Sequence, residues 1–142
     1  MKIAVSLIGI LLLSCAAFAQ GKIVTAAQAN GTYRDGSNEI KILALGHNKL
    51  RIQMSLAYEY RSKYGPSANV GESHGEATIE NDVATFRPAE TEDCNITIKF
   101  LPRNRIRVSV DHMLNCGWGF NVNADGTYRK VRAGKPKFYE DN

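Results

Sequence analysis

Helical periodicity is the first thing missing from this sequence. Beyond residue 19 no stretch repeats apolar residues at three- and four-residue spacing, which excludes helical bundles and alternating α/β domains. Residues 22–29, KIVTAAQA, offer at most one helical turn or an irregular lead-in. Long apolar runs are absent too, apart from Ile3 to Leu13, and that run is short of the roughly 20 residues a membrane-spanning helix needs. No transmembrane segment is expected. The run follows Met1-Lys2 and ends at Ala17-Phe18-Ala19, so residues 1–19 read as a secretory signal peptide. Leu12 to Cys15, LLSC, loosely resembles a lipobox, and a lipid anchor at Cys15 is the less favoured alternative. The expected location is therefore periplasmic or secreted, ahead of an outer-membrane lipoprotein.

Cysteine, histidine and tryptophan are scarce, at three, three and one. Outside the signal peptide only Cys94 and Cys116 remain, and an even pair in an exported chain predicts one disulfide and no free catalytic thiol. Glu72, His74 and Glu76 alternate along one strand face, but that face is expected to point outward, and no metal or other cofactor is expected. Asp111 and His112 are adjacent, so in a strand they face opposite sides and cannot orient one another. No motif places a nucleophile, and a non-enzyme is expected. Charge is only mildly unbalanced, at +4 overall. Five cations, Arg129, Lys130, Arg132, Lys135 and Lys137, gather near the end with few aromatics among them. That argues for a solvated basic tail and against a nucleic-acid partner.

What the sequence does contain is period-two alternation. Leu50, Ile52, Met54, Leu56, Tyr58 and Tyr60 alternate with polar residues, as do Ile40 and Ile42 before them. A three-residue loop at Gly46 to Asn48 sets Ala44 opposite Leu50, Ile42 opposite Ile52 and Ile40 opposite Met54, with Asn48 left-handed. A turn at Asn81-Asp82 sets Ile79 opposite Ala84 and Ala77 opposite Phe86. A loop at Pro102 to Asn104 sets Phe100 opposite Ile106 and Ile98 opposite Val108. GTYR occurs at Gly31 to Arg34 and again at Gly126 to Arg129, on the first and last strands. Those strands become neighbours only if the sheet closes, and closure removes exposed edges. The expected fold is all-β: a single antiparallel up-and-down barrel of about eight strands with one disulfide, spanning 30–133. Residues 20–29 form the lead-in and 134–142 the tail.

Strand order puts the three tight loops at one end, the floor. The connections at 35–38, 61–71, 87–93 and 112–125 fall at the other, a rim of long loops where binding is expected. Candidate rim residues are Arg61, Lys63, Tyr64, His74, Trp118 and Phe120. Tyr58 and Tyr60 are expected to cap the core and Tyr64 to make contacts. Trp118, between Gly117 and Gly119, is expected to pack over the disulfide, with a ligand platform as the alternative.

The ending CGWGFNVNADGTYRKV…KPKF, Cys116 to Phe138, resembles the closing signature of a largely uncharacterised family of small exported bacterial β-proteins, many with Phe where this chain has Trp118. The likeness extends back over GEATIENDVATFRP and CNITIKFLPRNRIRVSV. It implies an exported β-domain and no activity. In fold alone, the expected barrel is similar to periplasmic and membrane-bound inhibitors of c-type lysozyme. The expectation is a non-enzymatic binding or inhibitor module whose partner is a protein or an envelope component. A carrier of a small apolar ligand is the alternative, although large inward residues leave eight strands little empty space.

Overall fold

The computed structural model describes residues 22–89 and 91–141. The expected signal peptide and the cysteine at position 15 lie outside the described residues. Eight antiparallel strands close in sequence order into a barrel: β1 (Gly31–Asp35), β2 (Asn38–Gly46), β3 (Lys49–Ser62), β4 (Gly65–Glu80), β5 (Val83–Phe86), β6 (Asn95–Leu101), β7 (Arg105–Asp111) and β8 (Gly126–Ala133). The lead-in contributes α1 (Ala26–Ala29), one turn of helix capped by Thr25 through a reciprocal pair of hydrogen bonds with Gln28.

The three floor hairpins form in the expected register. Ala44 pairs with Leu50, Ile79 with Ala84 and Phe100 with Ile106. The alternation therefore places every apolar phase inward, and a one-residue slip in any hairpin would expose it. The β2–β3 turn is tighter than expected, since Gly46 pairs with Lys49 across His47 and Asn48, both left-handed. Gly75 stays in register opposite Ile52, and its missing Cβ makes room for the Phe86 ring, which would lie 3.3 Å from it.

Large side chains fill the interior. Ile40, Ile42, Ile52, Met54, Phe86, Ile96, Ile98 and Ile106 are all fully buried. Both ends are plugged. At the floor, Val24 N–H donates to the Asn81 carbonyl, and Tyr33 Oη donates to the carbonyl of Ala29, 2.9 Å away. At the rim, Tyr128 Oη donates to the carbonyl of Ala124 at 2.9 Å. The two GTYR segments are the barrel's seam: β1 pairs with β8, with a bulge between Thr32 and Tyr33. Both tyrosines are buried, and they anchor opposite ends.

Burial pushes the Tyr128 phenol up to about 12; the Asn38 hydrogen bond opposes this, and the Asp35 and Asp125 carboxylates add to it. A raised folded-state value contributes stability that is fully present below the unfolded value of 10.0 and is lost as pH rises toward 12. Tyr128→Phe leaves the Ala124 carbonyl without its donor and should cost about 1–2 kcal/mol at neutral pH. Because phenylalanine cannot ionise, the gap between wild type and variant should close as pH approaches about 12. Urea titrations at neutral and alkaline pH test this; a gap that stays constant contradicts it.

The C-terminal segment departs from expectation. Arg129, Lys130 and Arg132 lie in β8, within the expected barrel span, but the expected tail, residues 134–141, straps across the outer wall of β2 and β3. Phe138 is buried beneath the Arg51 guanidinium, 4.1 Å from its ring, and Lys41 Nζ sits 4.4 Å over Tyr139. Tyr139 N–H donates to Gln53 Oε1, and Arg51 pairs with Glu140 at 3.0 Å. The aromatic pair Phe138-Tyr139 supplies apolar area that a solvated tail would lack. Lys130 is drawn to the other side of the seam, where its Nζ donates to the Gln28 carbonyl at the end of α1. Partial burial lowers its pKa.

Candidate interaction surface

The rim is built on strands longer than the barrel needs. Pairing of β3 with β2 ends at Ser55, apart from Ala57 N–H donating to Asn38 Oδ1, and β4 meets β5 only from Ala77 onward. Past those points β3 and β4 pair with each other alone, from Tyr58 opposite Asn69 to Ser62 opposite Gly65. At about 3.4 Å per residue this two-stranded ribbon reaches roughly 15 Å past the wall. The expected loop over 61–71 is thus a hairpin with a two-residue turn at Lys63-Tyr64. Ser62 Oγ secures that turn by accepting from Tyr64 N–H at 3.1 Å and donating to the Gly65 carbonyl at 3.0 Å. Gly65, at φ +118°, supplies a backbone that a side chain would disfavour. The connection at 35–38 is also a tight turn, because Asp35 pairs with Asn38. Among the described residues, the irregular rim connections are those around 87–94 and 112–125.

Tyr58 and Tyr60 keep the inward phase of β3 but lie beyond the barrel's end. They do not cap the core. They are 41 % and 40 % exposed and stack on each other with centroids 6.3 Å apart. Tyr64 at the tip is 87 % exposed, with Lys63 Nζ 4.8 Å from its ring centroid. Arg61, opposite Pro66, projects from the other face of the ribbon. From Tyr60 to Gly71 the ribbon holds Arg61 and Lys63 and no acidic residue, so its tip is cationic.

Segment 112–125 is docked against the base of this ribbon. The Cys94–Cys116 disulfide ties it to the loop before β6. Gly119 N–H donates to the Val70 carbonyl at 3.0 Å, and Asn69 Nδ2 to the Phe120 carbonyl at 2.8 Å. Asn69 stands opposite Tyr58, so Phe120, 80 % exposed, is held beside the base of the ribbon. Val70 and Leu114 are exposed at the same end. Trp118 packs against the core cluster that includes Cys94 and Cys116, and it is also wedged against β4. Its ring fills the space a Cβ on Gly71 would take, and its Nε1–H donates to the buried Ser73 Oγ at 2.8 Å.

Of the expected site residues, Arg61, Lys63 and Tyr64 lie along the ribbon and its tip and Phe120 beside its base, all at the rim end, while Trp118 packs beneath at Gly71. His74 does not join them. It lies mid-barrel opposite Gln53, faces outward, and has its Nε2 4.0 Å from Glu140 Oε1 under the C-terminal strap. His112 pairs with Asp93, 3.4 Å away across the disulfide, and not with its neighbour Asp111. Among the described residues no three of His, Cys, Asp and Glu converge in a way that could hold a metal ion. No family model, curated protein or solved structure matches this chain. No helix among the described residues is long and apolar enough to cross a membrane.

Tyr58, Tyr60 and Val70 escape a sequence-level reading because the alternation signal reports burial, and no core lies beneath this part of the ribbon. Leu114 carries no periodic signal at all. A group of rigid aromatic rings with two cations, on backbone fixed by hydrogen bonds, can do one thing well: present preorganised contact area with polar tips.

Proposed function

We propose that this chain is an exported, non-enzymatic binding or inhibitor module that engages a protein or envelope component through its rim ribbon. The observation that carries this reading is the ribbon itself: the stacked, exposed Tyr58 and Tyr60, the exposed Tyr64 with Lys63 at the tip, Arg61 on the other face, and the exposed Phe120 beside the base. Tyrosine and arginine dominate binding hot spots because they offer rigid area with little entropy to lose. The ribbon is stiffened from one side by segment 112–125, so little ordering remains to oppose association.

A filled interior weighs against the apolar-ligand carrier. The floor groove of about 340 Å³ lies between the lead-in and the β6–β7 turn, where Tyr33 and Phe100 close off the core. The sharpest version of the reading is inhibition of a lysozyme, in which the cationic tip enters the enzyme's cleft. The purified protein should then lower the activity of a c-, g- or i-type lysozyme. A Tyr60→Ala/Arg61→Ala/Tyr64→Ala variant should weaken that inhibition about 100-fold or more, as expected for loss of central anchors. If no lysozyme type responds to the wild type, the inhibitor version fails.

A further inference from the structure

The wall on the seam side of the barrel carries a second feature, independent of the rim. Strands β6, β7 and β8 together hold Lys99, Arg105, Arg107, Arg129, Lys130 and Arg132 against one acid, Asp111, at the rim end. Register concentrates these charges. Arg129 stands directly opposite Arg105 on one side and Arg34 on the other, and Arg107 stands directly opposite Lys99. Like charges directly opposite on adjacent strands destabilise a sheet. Arg34 is neutralised by Glu39 at 2.6 Å, and Arg105 Nε donates to the Pro102 carbonyl. Among the described residues no ion pair or hydrogen bond reaches the side chains of Lys99, Arg107 or Arg129. All three are exposed, with Thr97, Ser109 and Thr127 as neutral neighbours on the same strands.

We infer that this wall docks on an anionic phospholipid layer. An uncompensated set of cations on a barrel wall calls for an extended anion, because Lys99, Arg107 and Arg129 are spread over the outer face of three adjacent strands. Guanidinium groups match phosphate oxygens in fork geometry. Val131, skipped by the pairing at the seam bulge and 57 % exposed, adds an apolar tip beside Arg129 that a headgroup layer can accept. No aromatic ring projects among these cations for base stacking, which favours a lipid surface over single-stranded nucleic acid. In this pose the strands lie along the layer, and the ribbon extends sideways from the barrel.

Co-sedimentation with vesicles tests the inference. The protein should bind vesicles containing roughly one-third phosphatidylglycerol, ignore pure phosphatidylcholine vesicles, and release as salt rises from about 0.05 to about 0.5 M. Each wall cation should contribute about five-fold, so Lys99→Gln/Arg107→Gln/Arg129→Gln should weaken binding about 100-fold while circular dichroism stays unchanged. The rim variant Arg61→Gln/Lys63→Gln should bind nearly as wild type. Equal binding to neutral vesicles, a triple variant that binds like wild type, a rim variant that loses as much, or equally tight binding to duplex DNA would each overturn the assignment.

Discussion

Removing the disulfide, with Cys94→Ala and Cys116→Ala together, should cost the fold about 3 kcal/mol. The bridge closes a loop of 22 residues, and the unfolded chain regains that closure entropy when the bridge is absent. The same bond holds segment 112–125 where Gly119 and Phe120 meet β4. Loss should therefore appear in two places: a lower urea midpoint for the barrel, and faster proteolysis within 112–125 under native conditions. Trp118 is the chain's single tryptophan, so its fluorescence follows that segment without interference. A cost below about 1 kcal/mol would mean that the hydrogen bonds to β4 and the buried Val122 and Ala124 anchor the segment without the bridge.

Gly71→Val should be nearly as damaging, at about 3 kcal/mol, although valine suits a strand. A Cβ at Gly71 would stand 2.6 Å from Trp118 Cγ and 2.8 Å from Cδ1. The strand is bound on its other side to β3, so the indole must leave, surrendering its packing and its hydrogen bond to Ser73. Trp118 fluorescence should shift to the red. The Trp118→Ala and Gly71→Val costs should be strongly non-additive, since the second change removes little once the ring is gone. Additive costs would place the strain elsewhere.

The barrel was legible because burial and alternation coincide in its walls. Ile79–Ala84 and Ile98–Val108 pair as their spacing implies, and Cys94 and Cys116 join as expected. Legibility ended where a strand continues without a core. Gly65-Pro-Ser-Ala-Asn-Val looks like loop composition, and it pairs only because Ala57 to Ser62 lie opposite it. The strap at Phe138 was hidden for a related reason. One apolar side chain among charges carries no period, and its partners Arg51 and Gln53 are about 85 residues away in sequence. Trp118 against Gly71 is the same kind of contact: two residues on different elements, each ordinary alone. His74 illustrates the reverse, a residue conspicuous in sequence that the strand phase sends to the outer wall.

The claim that the ribbon is the binding surface is tested most directly by position-specific photo-cross-linking in envelope extract. A photoreactive residue at Tyr64 should capture one discrete partner. The same residue at His47, in the floor turn between β2 and β3, should capture none. Replacing Arg61 to Pro66 by an Asn-Gly turn keeps Tyr60 opposite Ser67 and should abolish capture from a probe at Phe120 without unfolding the barrel. Capture of the same partner from His47 and Tyr64 alike, or undiminished capture after trimming, would contradict the assignment of the rim ribbon as the site.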